Sequence, residues 1–348
     1  MGQIPGETHA AQAATLGGVD LELLDSLADR PYRRGQVWEW AARGASSYAE
    51  MTNLPLRLRE ELERELPFST LEIEQEAIAS DGTEKALFRT ADDRPVEAVL
   101  MRYRDGRRSL CLSSQSGCPL TCTFCATGQM RFGRNLTASE ILDQALHFRR
   151  RLAAAGERLP DHAVFMGMGE PLMNLDAVLG ACRRLPDLGI ATSNTAVSTV
   201  GWVPGIERMA RERPPVRLAL SVHAADEALR SELMPVNDRY PLHETLDACR
   251  DWHAARRRQV FVEYLMLDGV NDRYEQALAL AEALEPVRAF KVNLIPYNPT
   301  GSGFRGSTRE AIAAFKAALE GRGLRATVRL TRGRDIDAAC GQLAARVA

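Results

Sequence analysis

From Asp20 to roughly Leu66, apolar positions recur at helical spacing: Leu21, Leu23, Leu24 and Leu27, then Val37, Trp38, Trp40 and Ala41, then Leu54, Leu56, Leu58 and Leu62. Three strand-like runs follow, Lys85–Thr90, Glu97–Arg104 and Arg108–Ser114, parted by Asp-Asp and Asp-Gly turns. Beyond them, strand and helix periods alternate. A helix over Ala138–Leu152 opens on Thr137 with Glu140 three residues on, the pattern of a capping box. Strand His162–Met166 leads through Gly167-Met168-Gly169-Glu170-Pro171 into a helix over Leu175–Leu185, and strand Ala196–Thr199 precedes a helix near Val203–Arg211. Strand Val216–Val222 ends at His223 and is followed by helices Asp226–Leu233 and Leu242–Ala255. Strands Val260–Leu267 and Phe290–Pro296 precede helices Asp272–Leu284 and Thr308–Glu320, and a last strand lies near Arg325–Leu330.

Counted from the strand before residue 118, this alternation predicts an α/β fold: a partial (βα)6 TIM-like barrel with its chemistry at the C-terminal ends of the strands. The expected organisation is a disordered tail over 1–17, a small helical accessory domain over 18–68, a β linker or extension over 69–104, the barrel over 105–330 and a C-terminal segment over 331–348.

With 348 residues and 45% hydrophobic content, the chain can bury a large core. Its apolar runs are too short to span a bilayer, and the polar N-terminus lacks the pattern of a signal peptide, so a cytoplasmic protein is expected. A net charge of −2 argues against indiscriminate coating of nucleic acid. Positive charge comes almost wholly from arginine, since Lys85, Lys291 and Lys316 are the only lysines. Such a bias follows from codon usage or from a need for guanidinium forks that grip phosphate and stack on bases. Arg30, Arg33, Arg34 and Arg43 beside Trp38 and Trp40 fit either an RNA platform or core indoles with solvated arginines.

The seven cysteines form no paired framework, and three are bunched as Cys118-Pro-Leu-Thr-Cys122-Thr-Phe-Cys125. A loop this tight can aim three thiolates at one centre. Zinc would want a fourth ligand close by, and no Cys or His follows until His147. Three thiolates around a four-iron cluster leave one iron free to hold something else. Elsewhere, Cys111 lies in an apolar strand and Cys340 among small residues; unaided, both read first as packing. Cys182 and Cys249 read as core. Glu170 could be a helix N-terminal acid, His223 a hydrogen-bonded structural histidine, and Asn298 a turn residue before proline. Gly301-Ser-Gly303-Phe-Arg-Gly306 fits G-x-G-x-x-G but follows the last strands instead of opening a βαβ unit, so dinucleotide binding is not expected.

The cysteine triplet resembles the radical S-adenosylmethionine (SAM) signature. Arg134-Asn135-Leu136 with Glu140-Ile141, Met166-Gly-Met-Gly-Glu-Pro-Leu172 and Asp335-Ile-Asp-Ala-Ala-Cys-Gly-Gln-Leu343 narrow the resemblance to the RlmN/Cfr family of RNA adenine methyltransferases, over about Arg33 to the C-terminus. It implies a [4Fe–4S] cluster on Cys118, Cys122 and Cys125, with SAM held by Gly169, Glu170, Ser198, Ser221, Val222, His223 and Asn298. It further implies that Cys340 is methylated and then loses hydrogen to a 5′-deoxyadenosyl radical, that the methylene adds to the base, that Cys111 releases product by forming a disulfide with Cys340, and that Glu97 takes the ring proton. Two SAM molecules are used per turnover. The implied substrates are adenosine 2503 of 23S rRNA and adenosine 37 of tRNA, with an electron donor such as flavodoxin or ferredoxin and a monomeric enzyme. Pro171 resembles the C2-methylating branch, whereas Met234-Pro-Val-Asn-Asp-Arg-Tyr-Pro241 and Asn298-Pro-Thr resemble the C8-methylating resistance branch.

Overall fold

The computed structural model describes Leu24 and residues 31–345; the expected tail and the lead-in through Leu21, Leu23, Leu27 and Arg30 lie outside them. Helices α1 (Pro31–Arg43) and α2 (Leu56–Glu65) enclose a small core in which Val37, Ala41, Tyr48, Met51, Leu58 and Leu62 pack with Leu24. Trp38 turns away from it into the main core and donates its indole N–H to Asp187 (2.7 Å), fastening α1 to the rest of the chain. Trp40 is half-buried and donates to Asn53 (2.6 Å). Trp38 is therefore a packing residue, whereas Trp40 keeps part of its ring at the surface.

Strands β1 (Leu71–Ile78), β2 (Glu84–Thr90), β3 (Pro95–Arg102) and β4 (Arg108–Cys111) form an antiparallel meander. After a small ladder of β5 (Gln115–Ser116) with β6 (Arg134–Asn135) around the cysteine loop, the main sheet continues parallel from β4 through β7 (His162–Phe165), β8 (Thr195–Thr199), β9 (Arg217–Ser221), β10 (Val260–Met266), β11 (Phe290–Pro296) and β12 (Ala326–Val328). Helices α3 (Ala138–Ala154), α4 (Leu175–Arg184), α5 (Val203–Glu212), α6 (Glu227–Leu233), α7 (Leu242–Arg256), α8 (Tyr274–Ala283) and α9 (Arg309–Gly321) supply the crossovers. β10, inside the parallel sheet, is buried on both faces and reads as an almost continuous apolar run, whereas the edge strand β12 exposes Thr327 and Val328. The capping box of Thr137 and Glu140 opens α3 as expected. β1 was not anticipated as a separate strand: Leu-Glu-Ile-Glu-Gln-Glu-Ala-Ile alternates with period two and lays its acids outward.

The sheet begins at β1 and ends at β12 without closing, which makes it a partial barrel. Beyond β12, residues 331–345 run back as a strap over the opening. Gly333 N–H donates to Asp81 (3.2 Å) and Ser80 N–H to Asp335 (2.8 Å). Ala126 N–H donates to Gly341 O (2.7 Å), the Thr127 hydroxyl to Leu343 O (2.6 Å) and Ala345 N–H to Glu97 (2.9 Å). Cys182 and Cys249 are buried in the main core. Among the described residues, no helix is long and apolar enough to cross a membrane.

Candidate active site

The C-terminal ends of the parallel strands surround a cleft of about 930 Å³, its open mouth included. Cys118, Cys122 and Cys125 line one side, and Gly169, Glu170, Ser198, Ser221 and His223 line the others. The cysteine loop is tightly wound: Thr121 adopts φ +42°, and a Cβ on Gly128 would stand 2.9 Å from the backbone of Cys122. Cys122 is buried and Cys118 and Cys125 are half-buried; desolvation raises each thiol, Cys118 to about 12. Left as thiols they would waste three ligands, whereas a bound cationic centre would hold them as thiolates. Among the described residues, no three His, Cys, Asp or Glu form a ready set for a single metal ion. Three sulfurs that line one side of a cleft without converging on a single point suit a cluster, one thiolate to each of three irons, better than they suit zinc.

The Gly167-Met-Gly169-Glu170 turn after β7 is laced to the chain just before the cysteine loop. Met168 N–H donates to the Ser113 hydroxyl (2.8 Å), Ser114 N–H to Met168 O (2.9 Å) and Glu170 N–H to Gln115 Oε1 (2.8 Å). Gly169 sits at φ +97° with its Cα against Gln115, where a Cβ would come within 2.5 Å of that side chain. Glu170 is buried, and burial pushes its carboxyl up to about 7 despite the N–H groups of Leu172 and Val200 (each 3.0 Å) that favour the charged form. An incoming ammonium would complete the ionised state. Glu170 also caps the short turn at Pro171–Asn174, so it carries a structural duty as well.

His223 holds φ +60° because Asn271 grips its carbonyl (2.7 Å), and its Nδ1 accepts from Leu265 N–H (3.0 Å). That bond leaves the proton on Nε2. Burial, followed by the field of Arg230, pushes the ring down to about 3. Relative to an ordinary 6.5, the stability it contributes is whole above about pH 6.5 and drains away as pH falls toward 3. The unliganded chain should therefore lose up to about 2 kcal/mol from this group between pH 6.5 and 5. H223Q, whose amide oxygen can still accept from Leu265, should show a flatter urea midpoint over that range; identical slopes would refute the assignment.

Arg230 is fully buried behind the cleft, donating to Asn237 and to Val200 O (2.8 Å), and so ties the end of β8 to α6. R230M strands these acceptors and is expected to cost about 3 kcal/mol in denaturant unfolding; a loss below about 1 kcal/mol would show that the acceptors are readily rehydrated.

Not every anticipated residue gathers in this cleft. Cys111 and Asn298 line a second cavity of about 570 Å³, with Tyr103, Met166, Arg329 and Cys340. Cys340 lines both cavities. Asn298 thus stands on the Cys111 side, its Oδ1 buried without a partner. Val222 does not line the cleft: its side chain is in the core, its N–H donates to Glu263 O (3.0 Å) and its carbonyl accepts from Ala224 N–H (2.8 Å). Glu97 faces neither cavity: its carboxylate pairs with Lys85 (2.9 Å) and receives Ala345 N–H, in a separate cavity beneath the strap. Sequence reasoning missed Glu263 and Arg329, which line the main cleft as an ion pair (3.2 Å). A lone acid within Val260-Phe-Val-Glu-Tyr-Leu-Met was the available signal; one arginine in an arginine-rich chain was none.

Comparison with known proteins bears on this arrangement. The Radical SAM superfamily model matches residues 112–281. The chain is 47% identical over 332 residues to the "Probable dual-specificity RNA methyltransferase RlmN" of Moorella thermoacetica, covering 92% of this chain and 93% of that protein. It is 43% identical over 329 residues to the "Dual-specificity RNA methyltransferase RlmN" of Syntrophobacter fumaroxidans, covering 93% and 95%. The crystal structure of a radical SAM methyltransferase from Sphaerobacter thermophilus, 43% identical, superposes with a TM-score of 0.88 over 94% of this chain and 96% of that one.

Proposed function

The chain belongs to the RlmN family of radical-SAM RNA methyltransferases, and we propose that it methylates C2 of adenosine in RNA, at adenosine 2503 of 23S rRNA and adenosine 37 of tRNA. Membership brings a [4Fe–4S] cluster and SAM. In our reading Cys118, Cys122 and Cys125 hold the cluster, while Glu170, with Ser198, Ser221 and His223, receives SAM. When bound, the pair supplies a radical able to take hydrogen from a methyl group.

The position of Cys340 carries the proposal. Its sulfur belongs to the wall between the cleft and the cavity that holds Cys111. A thiol there can accept a methyl group from one side and present it to a base on the other. Two SAM molecules are then consumed, one as methyl donor and one as radical source. Release follows by thiolate chemistry: the Cys111 sulfur attacks the Cys340 sulfur, an S–S bond forms, the S–CH₂ bond breaks, and the electron pair leaves with carbon, which takes a proton to become methyl. A dithiol reductant must then restore both thiols, and a flavodoxin- or ferredoxin-class protein supplies electrons to the cluster. Glu97 could take the ring proton only after its Lys85 pair opened; in the closed form it fastens the strap.

C2 is favoured over C8 by Pro171. The Met234–Pro241 stretch that pointed toward C8 has a structural explanation, since Asn237 is the acceptor of Arg230. Anaerobic turnover on a 23S fragment with methyl-deuterated SAM, read by mass spectrometry against C2 and C8 standards, tests the proposal. A C2 product with two of three methyl deuteriums supports it, a C8 product moves the target atom, and retention of all three removes the assigned roles of Cys340 and Cys111.

A further inference from the structure

An ion pair between half-buried Arg329 and buried Glu263 lines the cavities that hold both thiols, with no duty in the scheme above. Arg329 follows β12, and its backbone N–H donates to Leu294 O (2.9 Å), so the sheet fixes its origin. Its side chain reaches the wall shared by the two cavities and lines both. Nη1 donates to Glu263 Oε2 and to Met166 Sδ (each 3.2 Å), and Glu263 is held in turn by Asn293 (2.9 Å). These bonds use Nη1 alone.

Around Cys111 the packed neighbours are apolar: Val99 and Met101 from β3, Val164 and Met166 at β7, Ala338 and Leu343 from the strap. The titratable or charged groups sharing its cavity are Tyr103, Cys340, Arg332 and Arg329. Arg332 pairs with Asp81 (3.6 Å), lies over the Tyr103 ring and lines only the Cys111 cavity, whereas Arg329 lines that cavity and the cleft, as Cys340 does. Glu97, on the same strand as Val99, is neutralised by Lys85. Burial pushes the Cys111 thiol up to about 12, with Cys340 acting in the same sense and Arg329 opposing them. That value already contains the Arg329 contribution, so the guanidinium limits the rise rather than cancelling it, and without it the thiol would be a still poorer nucleophile.

We propose that Arg329, its charge tempered by Glu263, is the positioning residue that raises the nucleophilicity of the Cys111 sulfur toward the Cys340 sulfur across the cavity they share. The proposal rests on reading Cys111 as the releasing thiol. The pairing with Glu263 gives it a directional signature. Deleting the carboxylate exposes the thiols to the full guanidinium charge; deleting the guanidinium leaves them facing a buried acid. The two substitutions must move Cys111 reactivity in opposite directions, whereas loosened packing would move both the same way.

The test is alkylation of Cys111 by iodoacetamide in the anaerobic holoenzyme, followed by peptide mass spectrometry as a function of pH. R329Q should slow labelling at neutral pH about tenfold, the effect of one unit in thiol acidity, R329K should retain most of the wild-type rate, and E263Q should speed labelling. Equal or same-signed changes in R329Q and E263Q, or a Cys111 inert in every variant, overturn the proposal. The C111A variant separates it from the scheme beneath it: if C111A turns RNA over normally, the releasing role falls, while the labelling shifts still report whether Arg329 governs this thiol.

Discussion

C340A is expected to leave less than about one-thousandth of wild-type RNA methylation while retaining iron, sulfide and SAM binding. The argument is positional. Cys340 sits on the wall between the cleft and the Cys111 cavity, and no other described sulfur except Met166 lines both. A thioether cannot accept a methyl group and return to its starting state by thiol exchange, so Met166 offers no substitute. The strap around Cys340 is held by backbone bonds at Gly341, Leu343 and Ala345, none of which needs the thiol. Alanine should therefore remove the chemistry without unfastening the segment. Methyl incorporation and iron content measured on the same preparation check this; residual methylation above about one-tenth of wild type would mean that the methyl group does not pass through Cys340.

C111A should stop turnover at a different point. With the methyl carrier intact but no second thiol in its cavity, the bond between RNA and protein forms and is not broken. Denaturing gels run without reductant should show a protein–RNA species approaching one per active enzyme, and multiple turnovers should fall by about a hundredfold or more. Cys111 is buried among Val99, Met168, Ala338 and Leu343, and trimming its sulfur leaves only a small void costing about 1 kcal/mol, so failure to fold is not expected to confuse the result. Normal turnover without adduct would assign product release to another group.

The parallel half of the fold was legible because each strand buried on both faces shows as an apolar run, and each crossover helix returns the 3.6-residue period. β1 was less so: its glutamates suit a helix as well as an outward strand face, and only pairing with β2 decides between them. In the site, sequence spacing could group Cys118, Cys122 and Cys125, which lie within one loop. It could not bring Cys111 to Cys340, which line one cavity because the strap returns across the sheet opening. Glu97 shows the same limit. Its pairing with Lys85 arises from the β2–β3 register, in which Leu87 faces Glu97 and Lys85 faces Val99, a diagonal relation that no linear motif contains. The placement of Asn298 beside Cys111 likewise depends on the path of the loop after β11.

The unclosed sheet also sets the topology of substrate access. A nucleotide inside a polymer is tethered on both sides, so it cannot be dropped down the axis of a sealed barrel like a free metabolite; the strand must pass sideways while both of its ends stay outside. A ladder joining β12 to β1 would have to be unzipped for each such passage. Here the gap is spanned instead by coil, held at a handful of single hydrogen bonds from Gly333 to Ala345. Lateral threading then asks for the release of a latch, and the same latch carries the sulfur that the threaded base would meet.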